Sequence, residues 1–276
     1  MSSLRADFIG KGYVLLKGVL SDSMLADLRE ATDRLLDMRT QGVFDDYRYQ
    51  CLLDPKVFHR SYIDFLNLET LHLASADILD CAKFDFGALA CLLGSIDPKL
   101  CIWHQDFAPH DPDYETLLAG AGTFLQYNCA LYDDASLWIV EGSHDRSRTE
   151  AETDYASGFN GFEFISDMDD CTRIDEDAPA GMPGCMNVRL SAGDCLLYDS
   201  MLWHAATYEP DVKRATLHGG FRQPGLSEEM KAHRWGLDHN DSLLDPGYLG
   251  ELGPYFGPQL ERFLELKKMF PKGALD

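Results

Sequence analysis

The sequence predicts a mainly β domain with helical additions, built around a jelly roll. Three observations lead there. From about residue 98 onward, short apolar runs alternate with turn residues at close spacing, the pattern of an antiparallel sandwich or barrel. Helical periodicity is confined to the beginning and the end of the chain. Two histidines and one aspartate lie on strand-like segments that such a fold can bring together.

The first part of the chain, about 1–97, reads as strand, turn and helix. Tyr13-Val14-Leu15-Leu16 is β-like, and Ser21 or Ser23 can cap a helix whose Leu25, Leu28, Leu35 and Leu36 follow helical spacing. A second, weaker helical pattern covers Leu66 to Ala76. The jelly-roll core spans about 98–225. Its strand candidates are Leu100–Phe107, Thr123–Tyr132, Leu137–Glu141, Asn187–Leu190, Asp194–Tyr198, Leu202–Tyr208 and Arg214–Phe221. Asp97-Pro98, Asp133-Asp134, Gly142-Ser143 and Ala192-Gly193-Asp194 supply turns between them.

An insertion at about 145–184 interrupts the strand pattern. It is acidic, contains glycine, and carries Tyr155, Phe159, Phe162 and Phe164, so it reads either as a binding loop or as a solvated excursion. From about 226 to 276 the pattern returns to helix, with Leu260, Phe263 and Leu264 on one face. A chain of 276 residues with this texture is expected to form a single domain.

Composition narrows the function. Apolar residues are 45% of the chain, enough for a substantial core, and the formal net charge is −22. So acidic a surface repels phosphate backbones and anionic lipid, which disfavours nucleic acid and membranes as partners. The eight cysteines are scattered without a CxxC pair, and several sit in apolar runs, as expected of free thiols in a reducing compartment. No apolar run is long enough to span a bilayer, and the short run Gly12 to Leu16 is too short for a signal-peptide core. The expectation is a cytoplasmic protein, monomer or homodimer, that acts on a small molecule.

The chemistry-bearing residues are His104 and Asp106, in Trp103-His104-Gln105-Asp106-Phe107, and His204, in Leu202-Trp203-His204-Ala205-Ala206. Residues two apart on a strand share a face, so one strand can aim His104 and Asp106 at one point, and a second strand can deliver His204. Two imidazoles and one carboxylate on one side of a metal form the facial triad of non-haem Fe(II) oxygenases. The same donor set also suits zinc, which leaves a hydrolase open, as well as a jelly-roll relative that binds a small molecule or metal without catalysis. Ten residues beyond His204 comes Arg214, whose guanidinium can hold the far carboxylate of a dicarboxylic cosubstrate.

Longer segments extend the pattern. Gly12-Tyr13-Val14-Leu15-Leu16-Lys17-Gly18-Val19-Leu20, Ala135-Ser136-Leu137-Trp138-Ile139-Val140-Glu141-Gly142-Ser143-His144 and Ala192-Gly193-Asp194-Cys195-Leu196-Leu197 accompany the His-x-Asp motif. With them the chain resembles the phytanoyl-CoA dioxygenase family of Fe(II)/2-oxoglutarate oxygenases, over most of its length. Ala135 and Glu141 depart from the Gly and Pro usual in that family, at a turn away from the proposed metal.

The resemblance implies a double-stranded β-helix (cupin-like) core, Fe(II) held by His104, Asp106 and His204, and 2-oxoglutarate and O2 as cosubstrates. It implies Arg214 on the distal carboxylate of 2-oxoglutarate, with Gln126 and Asn128 contacting cosubstrate or substrate, or serving structure. Phe124, His110 and Trp138 are the candidate substrate neighbours, and His144 is expected to be structural. Related halogenases replace the carboxylate with a small residue, so Asp106 favours oxygenation. The resulting expectation is oxidation of a C–H bond in a small metabolite or natural-product intermediate, with release of succinate and CO2. Hydroxylation, desaturation, epoxidation and ring formation all fall within this class, and the acidic surface disfavours a polyanionic CoA ester.

Overall fold

A helix that the periodicity does not announce opens the chain in the computed structural model, which describes residues 3–44, 47–94, 99–158, 171–172, 179–229 and 240–270. This helix, α1 (Leu4–Lys11), is capped by the Ser3 hydroxyl, which accepts from the Ala6 N–H, and it buries only Phe8. One buried side chain in eight residues leaves only a faint helical stripe to read. Gly12 ends it in the left-handed region (φ 86°), and a Cβ there would lie 2.7 Å from His144 Nδ1.

Strand β1 (Tyr13–Leu16) follows, then α2 (Asp22–Thr40), whose cap is Ser21, accepting from the Met24 N–H at 3.3 Å. The helical pattern over 66–76 resolves into two helices, α3 (Arg60–Leu66) and α4 (Glu69–Leu79). The break falls at Asn67 for a tertiary reason. Its side-chain amide donates to the carbonyls of Ile63 and Leu252 and accepts from the N–H groups of Tyr255 and Phe256, pinning the C-terminal tail.

The remaining elements are β2 (Arg48–Tyr49), β3 (Asp85–Leu93), β4 (Lys99–His104), α5 (Tyr114–Ala119), β5 (Phe124–Ala130), β6 (Leu137–Val140) and α6 (Glu150–Ser157). After them come β7 (Cys171–Thr172), β8 (Cys185–Asn187), β9 (Cys195–Asp199), β10 (His204–Tyr208), β11 (Ala215–Arg222), α7 (Pro224–Glu229) and α8 (Phe256–Met269). Two antiparallel sheets result, a six-stranded one ordered β1-β9-β5-β11-β3-β2 and a five-stranded one ordered β7-β4-β10-β6-β8. This is the jelly roll of the sequence reading, flanked by helices.

The sheet begins earlier than residue 98. Strands β1, β2 and β3 belong to the larger sheet, with Tyr13 opposite Tyr198 and Asp85 opposite Arg222. The run through β3 has no polar alternation because both of its faces are covered, so period two is hidden. The strand expected at 187–190 lies at Cys185–Asn187 instead, and Leu190 keeps only an isolated bridge to Asp134. Of the insertion, α6, the short β7 and a 3-10 turn at 179–181 are described; Phe159, Phe162 and Phe164 lie outside the described residues.

Alternation divides the larger sheet into two environments. Leu125, Tyr127, Cys129, Leu197, Leu217 and Phe221 face the helices, joining Phe8, Leu28, Leu35, Phe65, Ile78, Phe256 and Phe263 in the main core. Each such buried side chain contributes about 1.5–3 kcal/mol. Phe86 meets Phe256 and Phe263 edge-on, so α8 packs on β3 as the apolar face of the tail predicts. The other face of the larger sheet turns toward the smaller sheet, where Leu196, Tyr198 and Ala130 meet Leu137, Ile139 and Leu202. Among the described cysteines seven are free, three of them buried.

Asp199 closes the end of β9. Its carboxylate accepts from the Gly122 and Met201 N–H groups, both at 2.9 Å, while its own N–H donates to Gly12. Burial pushes its pKa up to about 7, against about 3.9 for a solvated aspartate. The folded state therefore holds a proton that the unfolded chain releases. This favours folding below about pH 4 and is lost as the pH rises to about 7. We expect the stability of the wild type, measured by urea denaturation relative to Asp199→Asn, to fall between pH 4 and pH 8. A difference independent of pH would reject the assignment.

Candidate metal centre

Strand β4 ends at His104, and β10 begins at His204, directly opposite it in register. The two imidazole rings lie 4.1 Å apart between centroids. Asp106 sits two residues past the end of β4, not within a continuous strand. Its N–H is held by the Ser200 carbonyl at 3.1 Å, and its Oδ1 lies 3.8 Å from Nε2 of both histidines. One nitrogen or oxygen from each of the three falls within 4.8 Å of the others.

Each ligand is oriented from behind. His104 Nδ1 lies 2.7 Å from the Ile102 carbonyl and His204 Nδ1 lies 2.8 Å from that of Leu202, which leaves both Nε2 atoms for a metal. Asp106 Oδ2 accepts from the Gln126 amide, whose oxygen accepts in turn from the Tyr198 hydroxyl at 2.8 Å. Burial holds both imidazoles down to about 4, His104 being lowered further by His204, so both are neutral lone-pair donors. Burial lifts the Asp106 carboxyl to about 6, opposed by His104, Arg48 and the Gln126 hydrogen bond.

Arg214 is enclosed between the sheets just before β11. Its Nε donates to Asp134 Oδ2 at 2.9 Å, and its guanidinium lies 4.7 Å from the Tyr208 ring centroid. Thr216 Oγ1 and the Ser136 N–H also donate to Asp134. Burial alone would raise the Asp134 carboxyl, but Arg214 and these donors bring it down to about 2. Nη1 of Arg214 is buried and has no hydrogen-bond partner.

The remaining candidates separate. Gln126 and Asn128 share the inward face of β5, yet both amides are engaged by side chains: Gln126 with Asp106 and Tyr198, Asn128 with His218 Nδ1 at 2.8 Å. Phe124 is on the same face, in an apolar cluster with Phe107, Tyr114, Leu117 and Met201. His110 is exposed on the loop beyond Asp106. Trp138 is not brought to the ligands. It pairs with Ala205, one position out of phase with His204, and packs with Trp103 and Trp203 on the outer face of the smaller sheet. His144 is fully buried, with Nε2 3.1 Å from the Ile9 carbonyl, a latch between α1 and the turn after β6.

Two residues escape the sequence reading. Asp134 reads as half of a turn dipeptide, although it neutralises Arg214. Arg48 lies in the two-residue strand β2 opposite Leu92, and so on the inward face with Thr216 and His218. Its positive charge acts on Asp106, Tyr198 and Tyr208. The alternation Tyr47-Arg48-Tyr49 was the available signal, and two strand residues are too few to carry it.

Residues 96–208 match the family model Phytanoyl-CoA dioxygenase (PhyH). Over that segment the chain is similar to the phytanoyl-CoA dioxygenase family. The matched PhyH segment encloses His104, Asp106 and His204 and stops before Arg214. No curated protein sequence matches the chain. Among solved structures, AviO1 from Streptomyces viridochromogenes Tue57 is similar at TM-score 0.57 and 20% identity, over 81% of this chain and 97% of AviO1. HygX from Streptomyces hygroscopicus, with nickel and 2-oxoglutarate bound, gives TM-score 0.56 and 15% identity, over 81% and 87%. The epimerase SnoN, in complex with Fe3+, alpha ketoglutarate and nogalamycin RO, gives 0.52 and 16%, over 80% and 82%. These likenesses are of fold.

Proposed function

We propose that the protein is an Fe(II)/2-oxoglutarate-dependent dioxygenase that oxidises a C–H bond of a small metabolite or natural-product intermediate. The observation that carries this reading is the convergence of His104, Asp106 and His204 on one point, together with a buried guanidinium whose Nη1 has no hydrogen-bond partner, that of Arg214. Two neutral imidazoles and one carboxylate fit Fe(II), and a forked cation fits a carboxylate. When bound, iron with 2-oxoglutarate and O2 supplies oxidative decarboxylation to succinate and CO2, coupled to oxidation of substrate.

The chain's own part is ligation, orientation and exclusion of water. His104, Asp106 and His204 hold the metal from one side. Asp134 fixes Nε of Arg214 and leaves Nη1 to donate to the distal carboxylate. Gln126 sets the angle of Asp106, and Tyr198 sets Gln126. Arg48 adds positive charge on the same face as a dianionic cosubstrate. The presence of Asp106 favours oxygenation over halogenation, with hydroxylation as the first outcome. The similarity of fold to SnoN, an epimerase, supports keeping other C–H oxidations within the reading.

Anaerobic addition of Fe(II) and 2-oxoglutarate to the apoprotein tests the proposal. A visible metal-to-ligand charge-transfer band is expected, weakened in Arg214→Ala and lost in His104→Ala. No band in the wild type, or an equal band in His104→Ala, would reject it.

A further inference from the structure

Gln105, the residue between two of the metal ligands, is fully buried, and its amide is engaged on three sides. Nε2 donates to the carbonyls of Met201 (2.6 Å) and Ser143 (3.3 Å), and Oε1 accepts from Arg148 Nε at 2.7 Å. Met201 is in the turn leading to His204, and Ser143 is in the turn after β6. Ser143 Oγ also accepts from the Trp203 N–H at 2.8 Å, beside His204. Arg148, at the root of the insertion, donates from Nη2 to the Phe107 carbonyl at 3.2 Å, one residue past Asp106. Its guanidinium lies 4.7 Å from the Trp203 ring centroid.

These contacts matter because Asp106 lies outside the β ladder. Strand pairing fixes His104 and His204, whereas the peptide carrying Asp106 depends on local contacts. We propose that Arg148 and Gln105 are positioning residues of the metal centre. Arg148 locks the orientation of the Gln105 amide, and that amide holds the Asp106 turn against the turn that leads into His204. The root of the insertion thereby becomes part of the metal site. A lysine cannot do the same, since a single ammonium lacks the planar fork that serves the Gln105 oxygen and the Phe107 carbonyl from two nitrogens over the Trp203 ring.

The inference rests on the metal site proposed above and not on the oxidation chemistry. Its test is therefore titration of the apoprotein with Co(II) alone, read by d–d absorption, beside a thermal melt. Arg148→Met is expected to melt cooperatively, to bind Co(II) about 10–100-fold more weakly, and to show altered bands. Gln105→Met should match it, and the double variant should be little worse than either single. Arg146→Gln, which breaks the neighbouring Arg146–Glu152 pair, should bind as wild type. If Arg148→Met does not fold, Arg148→Lys is read in its place and should also bind Co(II) more weakly. A folded Arg148→Met or Arg148→Lys with wild-type Co(II) affinity and spectrum overturns the proposal. Loss of binding equally in Arg146→Gln overturns it too. A clamp that passes while no 2-oxoglutarate band appears would remove the oxygenase reading and leave this one standing.

Discussion

Asp106→Ala should lower succinate release from 2-oxoglutarate by more than about 100-fold, because outer partners of metal ligands are alone worth about 10–100-fold. The fold should survive. Asp106 lies outside the strand ladder, and its burial already opposes ionisation, lifting the carboxyl to about 6. Removing a carboxylate that folding disfavours should leave the melting temperature at or above that of the wild type, as is common for side chains retained for function. Two measurements on one sample decide the matter, succinate by chromatography and unfolding by calorimetry. Turnover like that of the wild type would take Asp106 out of the metal shell. Loss of turnover together with a collapsed melt would make it structural.

The largest expected effect on stability belongs to Asp134. The Asp134–Arg214 pair is nearly sealed, with 5% and 4% of the respective side chains exposed. Asp134→Ala leaves a buried guanidinium without its counter-charge, for a loss of about 3–5 kcal/mol. Equilibrium denaturation in urea measures it. Replacing both partners, as in Asp134→Ala with Arg214→Met, should recover much of that loss, since the penalty comes from the stranded charge more than from the missing bond. A change below about 1 kcal/mol in the single variant would show that water reaches Arg214. The double variant should still give a weakened charge-transfer band, which separates stability from cosubstrate binding.

The cluster of His104, Asp106 and His204 was legible in the sequence because its signal is local. A His-x-Asp motif at the end of one strand and a histidine at the start of another need only the pairing of β4 with β10. Asp134 and Arg48 were not legible, because their meaning depends on partners far away in the chain. For Trp138 the register decides: one position separates the residue opposite His204, Ile139, from Trp138 on the outer face. The early start of the sheet was hidden for a different reason. A strand covered on both faces has no polar alternation, so β3 looks like any apolar run. At Asn67 a helical pattern was cut by an amide that answers to Leu252, Tyr255 and Phe256, and no local rule anticipates that.

The order of strands in the larger sheet also bears on how the chain is made. β3 pairs with β2 on one side but must wait for β11 on the other, and β1 waits for β9. During synthesis the apolar strand Asp85–Leu93 therefore leaves the ribosome long before its second neighbour exists. Contacts this distant in sequence slow folding and lengthen the exposure of an unpaired edge. Low temperature and slow expression should therefore raise the soluble yield more than changes to the buffer.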